Sequence, residues 1–165
     1  MLGAMPRLLP RTTRSISWLA SFALLTLVLV ACDDAEPVAP ADARAELIDR
    51  NWIDVWPQNA DDELHVYRFT PSMGGGVYQD RTVFEGRFEL FTFEATGDTI
   101  RFRFPGKDET HSTAYRIERV DGPAPFTRRL TLEDTPRGPA VYYGWDEGSG
   151  ASPFAQVRGA PRPGR

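Results

Sequence analysis

Gly86-Arg87-Phe88-Glu89-Leu90-Phe91-Thr92-Phe93-Glu94-Ala95-Thr96-Gly97-Asp98-Thr99-Ile100-Arg101-Phe102-Arg103-Phe104 reads as two β-strands and the turn between them. In the second half, Ile100, Phe102 and Phe104 alternate with Arg101 and Arg103. That period of two belongs to a strand with one buried and one wet face. Thr96-Gly97-Asp98 supplies a tight hairpin connection. The first half breaks its own alternation: Phe88 and Leu90 are in one phase, Phe91 and Phe93 in the other. A β-bulge or sharp coil near Leu90 would bring both sets to one face, and bulges are one way a sheet bends into a barrel.

The same texture extends in both directions. Aromatic and β-branched residues mark strands at 51–56, 64–70, 76–84, 86–95, 98–105, 111–120, 126–133 and 139–145, with turn chemistry between them. Pro105-Gly106-Lys107-Asp108, Asp121-Gly122-Pro123-Ala124-Pro125 and Thr135-Pro136-Arg137-Gly138-Pro139 are the clearest breaks. Every gap is short, and short gaps join antiparallel neighbours. The expected fold is all-β: an antiparallel eight-stranded meander closing on itself, which removes exposed edges. Ahead of it, residues 41–50 are expected to form a short helix, with Asp42 as N-cap and Leu47 and Ile48 turned inward. Of the 19 aromatic residues, 16 fall between Trp52 and Trp145, enough to fill a core.

The N-terminal part has a different character. Residues 1–14 carry Arg7, Arg11 and Arg14 and no acid; residues 15–31 are apolar apart from a few hydroxyls. A positive flank followed by a short apolar core is the pattern of a secretory signal. The run ends at the chain's single cysteine, and Leu29-Val30-Ala31-Cys32 resembles a bacterial lipobox. The resemblance implies removal of residues 1–31 and lipidation of Cys32, whose thiol alone can form the thioether to diacylglycerol. It also implies a protein of the cell envelope, anchored to a membrane facing the periplasm; the choice between inner and outer membrane stays open. Residues 32–44 are expected as the lipidated cysteine and a flexible tether, 45–146 as the barrel domain, and 147–165 as a disordered tail rich in Gly, Pro and Arg. With its only thiol committed, the chain is expected to have no disulfide. Without residues 1–31 it carries 16 basic against 23 acidic side chains, net −7, which argues against a nucleic-acid partner.

The segment from Leu47 to Trp145 is similar in layout to the small lipocalin-like (calycin) domains of bacterial lipoproteins. The likeness lies in a short helix, a Trp in the first strand (Arg50-Asn51-Trp52), and the later runs Phe88-Glu89-Leu90-Phe91-Thr92-Phe93 and Phe126-Thr127-Arg128-Arg129-Leu130-Thr131-Leu132. Position 50 is Arg where the family carries Gly. The resemblance implies a barrel able to take a small apolar ligand. It also implies that an arginine of a late strand, here Arg128, packs across Trp52 and closes one barrel end. Arg128 shares its phase with Phe126, Leu130 and Leu132, where a charge must stack or pair.

Catalytic and metal signals are weak. His65 and His111 have no ligand spacing between them, no cysteine is left to join them, and there is no Gly-x-Ser-x-Gly elbow. Gly74-Gly75-Gly76 is not followed by the Lys of a phosphate loop and reads as a mobile hairpin tip or lid. Asp61-Asp62-Glu63 reads as a solvated charge run rather than a calcium loop. The expectation is therefore a protein that is not an enzyme and holds no metal or cofactor. Trp56, Tyr67, Phe69, Phe88, Phe102, Tyr115 and Tyr143 are the candidates to line the lumen, either as packed core or around a small apolar ligand. The leading function is a lipid-anchored binding or scaffolding domain. A carrier or sensor of a small apolar ligand, and an inhibitor or partner-binder using residues 61–63 with 72–76, are the alternatives.

Overall fold

A computed structural model describes residues 35–146. The expected signal, Cys32 and the tail from 147 lie outside the described residues. The elements are β1 (Glu36–Pro37), α1 (Pro40–Leu47), β2 (Asn51–Ile53), β3 (Leu64–Thr70), a 3-10 turn (Pro71–Met73), β4 (Gly75–Arg81), β5 (Gly86–Ala95), β6 (Thr99–Phe104), β7 (Glu109–Arg119), β8 (Arg128–Leu132) and β9 (Val141–Gly144).

β2 to β9 form an antiparallel meander in which each strand pairs with the next. Closure comes from Ile53 of β2 opposite Tyr143 of β9. The result is a closed eight-stranded antiparallel barrel, compatible with a lipocalin-like fold. The eight strands fall where the aromatic and β-branched runs place them. The first is shorter than expected, because residues 54–63 leave the sheet as a loop at one end.

The ladder orients the barrel. One end, called upper here, carries the connections at 54–63, 82–85, 105–108 and 133–140. The lower end carries α1 and the connections at 71–74, 96–98 and 120–127. α1 belongs to the barrel: its Ala43 and Leu47, and Val38 just before it, are buried in the main core, and Trp52 donates its indole N–H to the Leu47 carbonyl at 3.0 Å. The helix starts one residue before the expected span and stops three short of its end. Its N-cap is Ala39 with no side-chain cap; Pro40 at the first position supplies a fixed φ instead, and Asp42 lies in the first turn.

Two expectations need correction. Residues 33–44 are not a tether throughout: Glu36 and Pro37 pair with Arg119 and Glu118 of β7, and α1 begins at Pro40. Burial of Val38 and Ala43 holds the segment down. Nor does β5 carry a bulge. Its ladder to β4 runs residue for residue from Gly86↔Arg81 to Phe91↔Gly76, and then Thr92 takes up β6. Phe91 is buried and Phe93 and Ala95 pack against the core, while Phe88 and Leu90 face solvent at 72% and 63% exposure.

Candidate functional site

The lumen is full. Trp52, Tyr67, Phe69, Phe102, Phe104 and Tyr142 are completely buried, with no surface open to water inside or outside the barrel. Tyr67 lies at the centre, with ring centroids 5.0 to 5.8 Å from Tyr78, Tyr142, Phe69, Phe91 and Phe102. Most of these pairs are tilted or edge-to-face, the arrangement that ring quadrupoles prefer. One row shows how the space is filled: Phe69, Gly76 and Phe91 are cross-strand neighbours. A Cβ on Gly76 would meet the Phe91 ring at 2.5 Å and the Arg68 carbonyl oxygen at 2.6 Å. Gly75 and Gly76 are therefore close-packed strand residues rather than a mobile lid.

The upper mouth is closed by Arg137, from the connection between β8 and β9. Its guanidinium binds Glu89 through Nε (2.7 Å) and Nη2 (3.3 Å), and Glu109 through Nη2 (2.7 Å) and Nη1 (3.2 Å). It also lies 4.4 Å over the Phe104 ring. Register explains the convergence, since Glu89 pairs with the lumen-facing Tyr78 and Glu109 pairs with Phe104. Lys107 adds an ion pair to Glu89 at 3.1 Å. Hydrogen bonding to Arg137 holds both carboxyls below the usual range, and the two carboxylates in turn raise the guanidinium further.

Below this cation, Tyr67 and Tyr142 donate their hydroxyls to the Arg137 carbonyl at 3.2 and 3.1 Å. Tyr78 meets Nδ1 of His65 at 2.7 Å. Burial raises the Tyr67 and Tyr142 phenols well above their ordinary value and pushes Tyr78 up to about 12. At neutral pH all three phenols are neutral and hydrogen-bonded, so their polar tips are satisfied without opening the mouth. A cleft of about 440 Å³ remains outside this seal, lined by Tyr78, Asp80, Arg87, Phe88, Glu89 and Arg137, among others.

The lower mouth is closed by α1 and a second charge chain. Arg128 binds Glu46 of α1 through Nε and Nη2, each at 3.2 Å, and Arg50 binds the same carboxylate at 2.9 Å. The cation over the Trp52 ring is Arg50, 5.9 Å from its centroid. Arg128 does not pack across Trp52 as the family resemblance implied. It reaches this end through Glu46, because its neighbour across the ladder, Gly144, lies against both Arg50 and Trp52.

Of the seven lumen candidates, Tyr67, Phe69, Phe102 and Tyr115 lie in the main core. Trp56 and Tyr143 do not. They pack on a second cluster on the outer side of β2 and β3, with Ile53, Leu64, Val66, Phe126 and Trp145. Ile53, Val66 and Tyr143 share the face opposite Trp52 and Tyr67, so alternation excludes them from the lumen. Phe88 is on the outer wall. Residues 61–63 and 72–76 sit at opposite ends of β3, so they do not form one binding edge. Asp62 is occupied locally, accepting from the Gln58 and Asn59 amides at 2.8 and 2.9 Å.

Sequence reading missed Arg137, Glu89, Glu109 and Tyr142. A usable signal was present: Glu89 shares its phase with Phe91 and Phe93, and an acid on an apolar face needs a cation. Among the described residues no group of three or more His, Cys, Asp and Glu is arranged to hold a metal ion. No protein-family model, curated protein or solved structure matches the chain.

Proposed function

We propose that the chain is a lipid-anchored, non-enzymatic protein of the cell envelope, whose barrel serves as a solid binding or scaffolding module. The observation that carries this reading is the packed lumen with both mouths closed by the chain's own side chains. A barrel built in this way offers partners its outer surface rather than its interior. The anchor rests on Leu29-Val30-Ala31-Cys32 and the positive, apolar stretch before it. Lipidation at Cys32 adds about 0.8 kcal/mol per buried methylene, so two or more acyl chains hold essentially permanently.

Two measurements on protein from a bacterial host test this function. Metabolic labelling with an alkyne fatty acid should tag the wild-type chain and leave Cys32→Ser untagged. Native mass spectrometry of the domain should give the bare polypeptide mass. A small apolar molecule retained in the Cys32→Ser protein would overturn the packed-lumen reading in favour of the carrier.

A further inference from the structure

We propose that the outer wall formed by β4, β5 and β6 rests on the membrane surface; this rests on the lipid anchor proposed above. The wall is apolar at its centre. Met73, Phe88 and Leu90 are 84%, 72% and 63% exposed. Leu90 stands opposite Val77, and together with Met73 and Pro105 they border a shallow depression of about 580 Å³. Three neighbouring large side chains left in water mark a surface that something covers.

The frame of this patch is basic. By register, Arg68, Arg81, Arg101 and Arg103 project on the same outer side as Val77 and Leu90; the acids there are Glu94, opposite Arg101, and Asp108, which borders the same groove as Arg101 and Arg103. Arg101 and Arg103 are exposed and have no ion-pair partner among the described residues. At the upper rim Arg87 is paired with Asp80, and Lys107 with Glu89. The sequence as a whole is net negative, so this excess of cations runs against the rest of the surface. Apolar side chains framed by arginine are the chemistry of a face lying among anionic headgroups.

The tether points to the same wall. β8 occupies one edge of β7 at Glu118 and Arg119, so β1, which pairs with those two residues, lies on the other edge, in line with β6. Only residues 33–35 separate Cys32 from Glu36. Three residues reach about 10 Å. A lipid on Cys32 would thus bring the β6 side of the barrel to the headgroups and leave no slack to lift it away. Held at that distance, even a weak face contact is strongly populated.

The single native thiol makes the test direct. In the acylated protein, Leu90→Cys and Glu133→Cys each add one labelling site, the second on the far side of the barrel after β8. Each is labelled with an environment-sensitive fluorophore and placed in vesicles of equal parts phosphatidylethanolamine and phosphatidylglycerol, with headgroup-quencher lipid. Intact mass reports acylation separately. The expected result is an acylated mass, with the label at 90 quenched and that at 133 not. Arg101→Glu with Arg103→Glu should lower the quenching at 90 at least about twofold. An acylated protein with both labels unquenched overturns the docking while leaving the anchor standing, and so does a label at 90 shielded by an envelope protein but not by lipid. A mass without acyl chains overturns both.

Discussion

Arg137 grips both carboxylate oxygens of Glu89, from Nε at 2.7 Å and Nη2 at 3.3 Å, across 48 residues of sequence. The pair ties the β8–β9 connection to the middle of the meander and closes the upper mouth. Arg137→Ala would leave Glu89 and Glu109 facing each other over Phe104. With all partners partly wetted, the expected loss is about 1–3 kcal/mol, measured as a lower urea midpoint. Arg137→Lys should recover only part of it, because an ammonium lacks the fork that serves two carboxylates. An unchanged midpoint in the alanine variant would remove Arg137 from this role.

The carboxyl shifts predict the acid limb of stability. Glu89 and Glu109 are held below their ordinary 4.5 by Arg137. Their contribution is therefore complete above about pH 4.5 and is lost as pH falls through the lower folded values. Wild type should lose stability more steeply below pH 4.5 than Arg137→Ala does, in urea titrations across that range. Parallel curves would contradict the assignment.

On the alkaline side the sign reverses. Burial raises Tyr67 and Tyr142, and pushes Tyr78 and Tyr115 up to about 12, from an ordinary 10. The unfolded chain ionises first, so this stabilisation holds below about pH 10 and falls as pH rises beyond it. Tyrosinate absorbance should therefore rise together with loss of the β-sheet circular dichroism signal. Free ionisation of all the phenols at pH 10 with the sheet intact would show an open lumen.

Phe102 and Phe88 were equal lumen candidates by sequence, and the fold separates them. Phe102→Ala should cost about 3–5 kcal/mol and leave a dry cavity. Phe88→Ala, on the wall, should stay within about 0.5 kcal/mol of wild type. The Phe102 variant should also gain stability from a small aromatic such as benzene, whereas wild type should not. Stabilisation of wild type by the same compound would indicate a cavity already present.

Gly76→Ala tests whether the glycine run is a lid. A methyl there would meet the Phe91 ring and the Arg68 carbonyl oxygen, and the carbonyl belongs to a ladder that cannot yield cheaply. The expected loss is about 1–3 kcal/mol. Full stability would restore the mobile tip.

The phase conflict in β5 shows where sequence reading stops. Phe88, Leu90, Phe91 and Phe93 all ask for burial, and the local pattern cannot say which pair is refused. The ladder refuses Phe88 and Leu90, because β4 pairs with β5 without an extra residue. An apolar pattern identifies a strand; it does not reveal which of its apolar residues the ladder leaves on the outer face. The charge clusters were hidden for a similar reason. Glu46 with Arg128, and Glu89 with Arg137, are far apart in sequence and meet only once the barrel closes.

By itself the sequence determined the strands, their antiparallel succession and the single closed barrel, because period-two alternation and short turns are local properties. It also carried the case for an anchored N-terminus, in a motif that needs no fold to be read. Only the tertiary structure decided that the lumen is solid, that α1 and Arg137 close its ends, and that Trp56, Tyr143 and Phe88 lie outside. Those outcomes depend on register and on long-range pairing. A shift of one residue turns every side chain to the other face, and no local stretch encodes which residue will stand opposite it.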